Sequence, residues 1–385
     1  MPPKQNIQSD DDRLNWRYQD KTYNEMFKAW RRQRKDSIGF YYVSKPNELT
    51  YQDGYGFVKD YPEAAERNAL RRVMNIIGVT MIMLGVIDLL YKYAVPDLLA
   101  FFGADIYFDK YAKTFYGNEW IILGLDIFFN IIKRLIPLLY VYKKMRMPVN
   151  VMIPTKITNR TLFRYSIPVT LFAAGCCITA TGIYDRVLMY CGITKNKLFM
   201  IPDSNAVLVL YLIVHIIVIP VISEVHTRGA LMQLLRQFGD GFAIVVTALL
   251  TALISYNLSA FCYIFIVSIV IGFFTVRTGS VATAIIMRVT SAAFSYCVFL
   301  TDELADGKND GIIIMIMMLV TLTVGTAAFI KLLIKDGNSF TLNLKSRYLN
   351  FTDKCGIAIS SIPFVVGFTI IIIHTIISIS FTMTL

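Results

Sequence analysis

Apolar runs of about 18 or more residues recur along nearly the whole chain, and each is long enough to cross a ~30 Å hydrocarbon core as a helix rising ~1.5 Å per residue. They predict nine spans at approximately 73–94, 119–142, 165–184, 205–225, 241–257, 259–276, 280–300, 311–334 and 361–385. Because one of them can be re-entrant, the expected fold is an all-α polytopic transmembrane bundle of about 8–9 spans. Residues 1–72 ahead of the first run form a charged, amphipathic tail. No early apolar stretch of the signal-peptide kind occurs there, so the first span is expected to direct insertion.

The tail mixes both signs, as in "SDDDRLNWRYQDKTYNEMFKAWRRQRKD". Its aromatic residues Trp16, Tyr18, Tyr23, Phe27 and Trp30 recur at roughly helical spacings. That pattern predicts one or two amphipathic helices lying on the inner membrane surface, with a charged tail lacking fixed structure as the alternative.

Charge in the loops sets the expected sidedness, since cytoplasmic loops are enriched in Lys and Arg. The 143–164 loop carries Lys143, Lys144, Arg146, Lys156, Arg160 and Arg164 and no acid. Arg228 and Arg236 follow the fourth span, Arg277 the sixth, and Lys331, Lys335, Lys345, Arg347 and Lys354 surround the loop after the eighth. These segments are expected inside together with a cytoplasmic N-terminus. The more acidic "VPDLLAFFGADIYFDKYAKTFYGNE" and "TDELADGKNDG" are expected outside.

With 55% hydrophobic and 17% charged residues, the composition excludes an ordinary soluble protein. The net charge of +11 reflects topology and contact with anionic lipid, so the bilayer is the expected partner. No basic domain with a recognisable motif supports nucleic-acid binding. The six cysteines (Cys176, Cys177, Cys191, Cys262, Cys297, Cys355) have neither metal-ligand spacing nor a disulfide framework.

Polar groups inside the spans are the candidates for chemistry. Asp126 precedes Asn130, Lys133 and Arg134. Lys133 and Arg134 are expected to snorkel to headgroups, and Asp126 to make an interhelical hydrogen bond or a water contact. In "IPVISEVHTRGALMQLL", residues 219–235, Glu224 and Arg228 are four apart and share a helix face, with the acid N-terminal as ion pairs prefer. Pro220 frees a backbone carbonyl one turn earlier. His215, His226 and His374 are expected to be structural, with His226 directed to headgroups or water. A zinc site needs three or more converging ligands, which one straight helix does not supply. No metal or cofactor is therefore expected, zinc entering only if the site is active.

The same string resembles the first motif of the CPBP family, the membrane-embedded CAAX-protease and bacteriocin-processing proteins that include lysostaphin resistance protein A-like members. There a proline, two spacers, paired glutamates, three spacers and Arg-Gly follow in order, and Pro220, Glu224, Arg228 and Gly229 occupy matching positions. Downstream, "AIVVTALLTALISYNL" is similar to the helix carrying Phe-x-x-x-His, and "IVIGFFTVRTGSVATAIIMRVTSAAFS" to the segment ending in His-x-x-x-Asn. The resemblance divides the chain into the 1–72 tail, N-terminal membrane helices (73–204), CPBP-like core helices (205–300) and C-terminal membrane helices (301–385). It implies that the glutamate pair and the histidines activate water and stabilise an oxyanion during peptide cleavage.

Several of those positions are substituted. Ser223 stands at the first glutamate, Thr251 and Ser255 at the Phe and His, and Arg288 and Ala292 at the His and Asn. A serine hydroxyl does not serve as a general base tuned near neutral pH, and a guanidinium does not cycle a proton. Glu224 and Arg228 are thus the retained catalytic positions, and the other five are degenerate. Arg288 lies about eight residues, or ~12 Å, into its span, where an unpaired guanidinium is costly. The resemblance implies that it faces the glutamate helix, so a buried salt bridge to Glu224 with Arg228 nearby is expected, with snorkelling or a wet cavity as the alternative.

The expected function is that of a pseudoprotease acting in binding, sensing or bacteriocin immunity in a prokaryotic plasma membrane. Its partner would be a membrane peptide or prenylated protein. The alternative is an active intramembrane glutamic or metallo-type endopeptidase using Glu224 with His215 or His226. A second alternative is a transporter or channel component, although no internal repeat is evident.

Overall fold

The computed structural model describes residues 19–31, 49–52, 56–59, 62–110, 114–191, 193–194, 202–304, 310–336, 346 and 348–381. Trp16 and Tyr18 of the tail, Lys345 and Arg347 of the late basic loop, and residues 382–385 of the last expected span lie outside them.

Helix α1 (Lys21–Arg31) belongs to the tail, followed by a hairpin of β1 (Leu49–Gln52) and β2 (Gly56–Lys59). α2 (Pro62–Leu89) opens on a proline, whose missing N–H costs nothing at a first turn. It passes through a π-helical turn (Leu90–Ala94) into α3 (Val95–Phe101). A second hairpin, β3 (Ile106–Asp109) with β4 (Thr114–Gly117), leads to α4 (Glu119–Met145). The Asn118 side chain caps α4 by accepting from the Trp120 and Ile121 N–H groups. α5 (Val149–Met152) and α6 (Arg160–Tyr190) follow, then the short strand β5 (Ile193–Thr194).

The next helix is one long rod of changing pitch. It runs through α7 (Asn205–Ile213), a π segment (Val214–Val218), α8 (Ile219–Glu224), a second π segment (Val225–Leu231), α9 (Met232–Leu235) and a 3-10 turn (Arg236–Phe238). Pro220 sits in the first turn of α8, just past the first π segment. α10 (Asp240–Leu253) and α11 (Leu258–Thr278) form a helical hairpin, and Gly279 closes α11 at a φ of 72°. α12 (Val281–Leu304), α13 (Asp310–Asp336), α14 (Phe351–Ile359), α15 (Ile362–Ser378) and β6 (Ser380–Phe381) complete the chain.

Each of the nine expected spans coincides with a helix over most of its described residues, the last of them only as far as Ser378. Among the described residues, six helices are long and apolar enough to cross a membrane, or seven if α14 and α15, bent by 81°, are one span. The two remaining expected spans have clear physical differences. α4 has the length, but Asp126, Lys133 and Arg134 interrupt its apolar run. α10 has only 14 residues, about 21 Å at the helical rise and short of a ~30 Å core.

The basic connections gather at one end of the bundle. Thr158 N donates to Thr278 O (2.9 Å), Val281 N to Pro154 O (2.7 Å), and Lys354 Nζ to Phe238 O (2.6 Å). At the opposite end Glu119 accepts from Asp203 N (2.7 Å), and β5 pairs with β6. Large apolar side chains on the outer faces, such as Leu319, Ile334, Ile362 and Ile373, are exposed, as lipid-solvated surface requires.

α1 corrects the expectation of a helix lying on the membrane surface. Its aromatic face is buried against the basic end of the bundle, with Trp30 0% exposed. Trp30 Nε1 donates to Met145 O (3.0 Å), and Tyr23 OH donates to Gln233 Oε1 (2.6 Å). Burial pushes the Tyr23 phenol up to about 12. An amphipathic pattern specifies an apolar partner without saying whether it is lipid or protein.

α2 and α15 run side by side in the same direction. Their backbones meet at Gly78, where a Cβ would land on the Pro363–Phe364 backbone, and at Gly367, where it would lie 2.7 Å from Gly78 O. Small residues at the crossing permit this approach, as at membrane helix interfaces generally.

Candidate functional site

Glu224 ends α8, and Arg228 sits one turn on, in the second π segment. Both side chains are 0% exposed. Arg228 Nε lies 3.2 Å from Glu224 Oε2, and Nη1 donates to Oε1 (3.3 Å). Nη1 also donates to Thr227 Oγ1 (2.9 Å) and Thr251 Oγ1 (3.2 Å), while Nη2 donates to Ser268 O (3.0 Å). The guanidinium therefore ties its own helix to α10 and α11. The Nε–Oε2 approach is off the line of a hydrogen bond, which leaves Oε2 with no directed donor. Such wide-pitch turns recur at functional sites because they present backbone and side chains unavailable to an α-helix.

Neighbouring groups fix this geometry. Gln233 Nε2 donates to Arg228 O (3.2 Å), while Gln233 Oε1 accepts from Tyr23 and from Arg236 Nη1 (3.2 Å). The docked tail helix thus reaches the site through one glutamine. A Cβ on Gly229 would meet Met152 O at 3.2 Å, a physical reason for glycine directly after Arg228.

The expected site residues separate on the structure. Thr251 joins the centre by accepting from Arg228 and donating to Thr247 O (2.7 Å). Ser223 contributes its carbonyl, which accepts from Thr227 Oγ1 (2.8 Å). Ser255 lies in the turn after α10 and donates to Ala252 O (2.6 Å), so its hydroxyl is engaged locally. Arg288 and Ala292 are half-buried on α12.

The expected Glu224–Arg288 salt bridge is not formed, since Arg228 holds the carboxylate. Arg288 makes no ion pair among the described residues, and both Glu224 oxygens face Arg228. A partner four residues along the same helix is in reach by local geometry, whereas depth in another span does not fix azimuth. Arg288→Gln should therefore leave the melting temperature in detergent unchanged or raise it, because no pair is lost and an uncompensated charge is removed. A fall of several degrees would show that Arg288 has a stabilising partner.

Two other expectations are corrected. His226 is 2% exposed rather than facing headgroups, on a π segment against which α4, α10 and α12 all pack. Its Nε2 is buried without a hydrogen-bond partner. Lys133 and Arg134 do not snorkel. Lys133 Nζ bonds Asp88 Oδ1 (2.6 Å), and Arg134 Nη1 donates to Asn130 O (2.9 Å) and Oδ1 (3.0 Å).

The structure adds two buried polar clusters. Asp88, 2% exposed, meets Lys133, Lys92 (3.0 Å) and His374 (3.1 Å), and so joins α2, α4 and α15. The Tyr256 ring packs on His374 with centroids 4.1 Å apart, from a backbone at φ 50°. That value is uncommon for a bulky residue. The second cluster centres on Asp126, which lies 3.0 Å from His215 Nε2 and accepts from Asn130 Nδ2 (2.7 Å) and Tyr91 OH (3.2 Å). His215 Nδ1 is 3.0 Å from Tyr211 O. The imidazole thus sits between a carbonyl of its own helix and the Asp126 carboxylate on α4. The Asp88–Lys92 spacing of four was the available sequence signal for the first cluster. Among the described residues, no three His, Cys, Asp or Glu side chains are grouped to hold a metal ion.

Fold and centre together define a membrane-embedded helical bundle with a carboxylate–guanidinium pair buried at a π-helical stretch of one span. Residues 205–294 match the family described as Rce1-like, "Type II CAAX prenyl endopeptidase Rce1-like". The matched segment reaches from α7 into α12 and contains Glu224, Arg228, Thr251, Ser255, Arg288 and Ala292. Over this segment, less than half of the chain, the likeness supports a CAAX-protease-like membrane protein. No curated protein and no solved structure matches the chain.

Proposed function

We propose that this protein is a CPBP-type pseudoprotease that binds or senses a membrane peptide or prenylated protein, with its basic end facing the cytoplasm of a prokaryotic cell. An immunity role would suit the bacteriocin-linked branch that the sequence resembles. The observation that carries this reading is the state of Glu224. Among the described residues its one close charged partner is Arg228, and the positions expected to hold a second carboxylate, two histidines and an asparagine hold Ser223, Ser255, Arg288 and Ala292. General-base catalysis needs a titratable group within reach of water and free to exchange its proton. A carboxylate clamped by a fully buried guanidinium is poorly suited to that task.

Incubating the full-length protein in detergent with prenylated CAAX peptides and with quenched membrane peptides tests this reading. The expected result is no product above that of a Glu224→Gln variant. Cleavage that disappears in Glu224→Gln would overturn it. Such cleavage would favour the endopeptidase reading, which draws support from Oε2 lacking a directed donor and from the unpartnered His226 Nε2 two residues on.

A further inference from the structure

The membrane-embedded part of this bundle carries more positive than negative charge. Its carboxylates are Asp88, Asp126 and Glu224, and its Lys and Arg side chains are Lys92, Lys133, Arg134, Arg228 and Arg288. Asp88 is engaged by Lys133 and Lys92, Asp126 by His215, and Glu224 by Arg228. Arg134 and Arg288 remain without a carboxylate among the described residues. Among the described residues the Arg134 guanidinium donates only to the Asn130 oxygens, and the Arg288 guanidinium has no acceptor.

These two arginines approach the same stretch of chain. α4, carrying Arg134, packs on α8 and on the second π segment, and α12, carrying Arg288, packs on the same two. Asp126 on α4 meets His215 and Tyr296 on α12 meets Tyr211, so Arg134 and Arg288, each eight residues farther toward the basic end, lie at a similar level beside this stretch. On that π segment His226 is buried with an unpartnered Nε2. Unpaired cations within a membrane are rare and mark ligand or ion sites. A guanidinium presents a planar fork of donors that fits carboxylate and phosphate oxygens.

We propose that Arg134 and Arg288, together with His226, form a site for an oxyanionic group, a carboxylate or phosphate, delivered from the α4 and α12 sides of the π segment. This site deepens the binding reading above and rests on it. Arg228 is excluded because its Nη1 and Nη2 donors are already directed to Glu224, Thr227, Thr251 and Ser268. The chemistry is the same for a headgroup on an amphiphile and for a free anion, so the experiment separates the two.

The full-length protein in a non-ionic detergent is titrated with dodecyl phosphate, laurate, inorganic phosphate and acetate, with dodecanol as the uncharged control. Binding is followed by calorimetry and by thermal shift. The expected result is saturable binding of at least one anion, with dodecanol inactive. Arg288→Gln and Arg134→Gln should each weaken that binding about tenfold or more, as loss of a charged hydrogen-bond donor does, and Arg288→Lys should retain part of it. Binding confined to the two amphiphiles identifies a lipid-like headgroup, and equal binding of the small ions identifies a free anion. Either supports the site. No saturable binding of any of the four overturns it, as does unchanged affinity in a monodisperse Arg134→Gln/Arg288→Gln variant. If those variants do not fold, the parent protein measured against dodecanol decides. Glu224-dependent cleavage would overturn the pseudoprotease reading while leaving oxyanion binding intact, so the two failures are distinguishable.

Discussion

Arg228→Ala is expected to lower the stability of the detergent-solubilised protein by about 3–5 kcal/mol, the range for removing one partner of a buried ion pair. Both members of the pair are fully buried, so solvent does not screen the loss. The substitution strands Glu224 as an uncompensated carboxylate and strips a donor from Thr251 Oγ1 and from the Ser268 carbonyl. Glu224→Gln in that background should recover part of the loss, because the buried negative charge disappears. A double-mutant cycle read from denaturant or thermal unfolding isolates the pair. Zero coupling would mean that Arg228 acts through α10 and α11 alone, and a fully stable Arg228→Ala would remove the pair from any account of the site. Arg288→Gln is the internal contrast, as an equally basic residue on a facing helix with no pair to lose.

That contrast marks what the sequence made legible. Glu224 and Arg228 share a face whenever the chain is helical, so their pairing follows from spacing alone. The helices themselves follow from apolar runs that have no other stable form in a bilayer. Pairings between helices are different. How far along α12 Arg288 lies follows from counting residues, but its azimuth depends on how α12 packs, and nothing local encodes that. Asp88, Lys133 and His374 lie on three helices far apart in sequence, so each resembles an isolated charge until the bundle forms. The π segments are also invisible in the pattern, since a wider turn shifts the apolar stripe by less than one position. The π segment around His226 packs against α4, and there the expectation of a solvent-facing histidine failed.

Asp88→Asn should likewise cost about 3–5 kcal/mol, because it leaves Lys133 and Lys92 without their shared carboxylate. The amide still fills the space and accepts one hydrogen bond, so a loss of this size would come from charge rather than packing. Adding Lys133→Met should restore much of the stability, since replacing buried charges with apolar groups of similar volume is often neutral or favourable. A second consequence reaches the Glu224 centre. Tyr256 packs on His374, and Ser378 Oγ on α15 donates to Tyr256 O (2.7 Å), so the turn after α10 is anchored to this cluster. That turn follows Thr251, which receives Arg228 Nη1. Hydrogen exchange in Asp88→Asn should therefore rise first in residues 250–258 and only then along α2 and α15. Unchanged stability, or exchange confined to the far end of α2, would show that the cluster neither holds these helices together nor supports the centre.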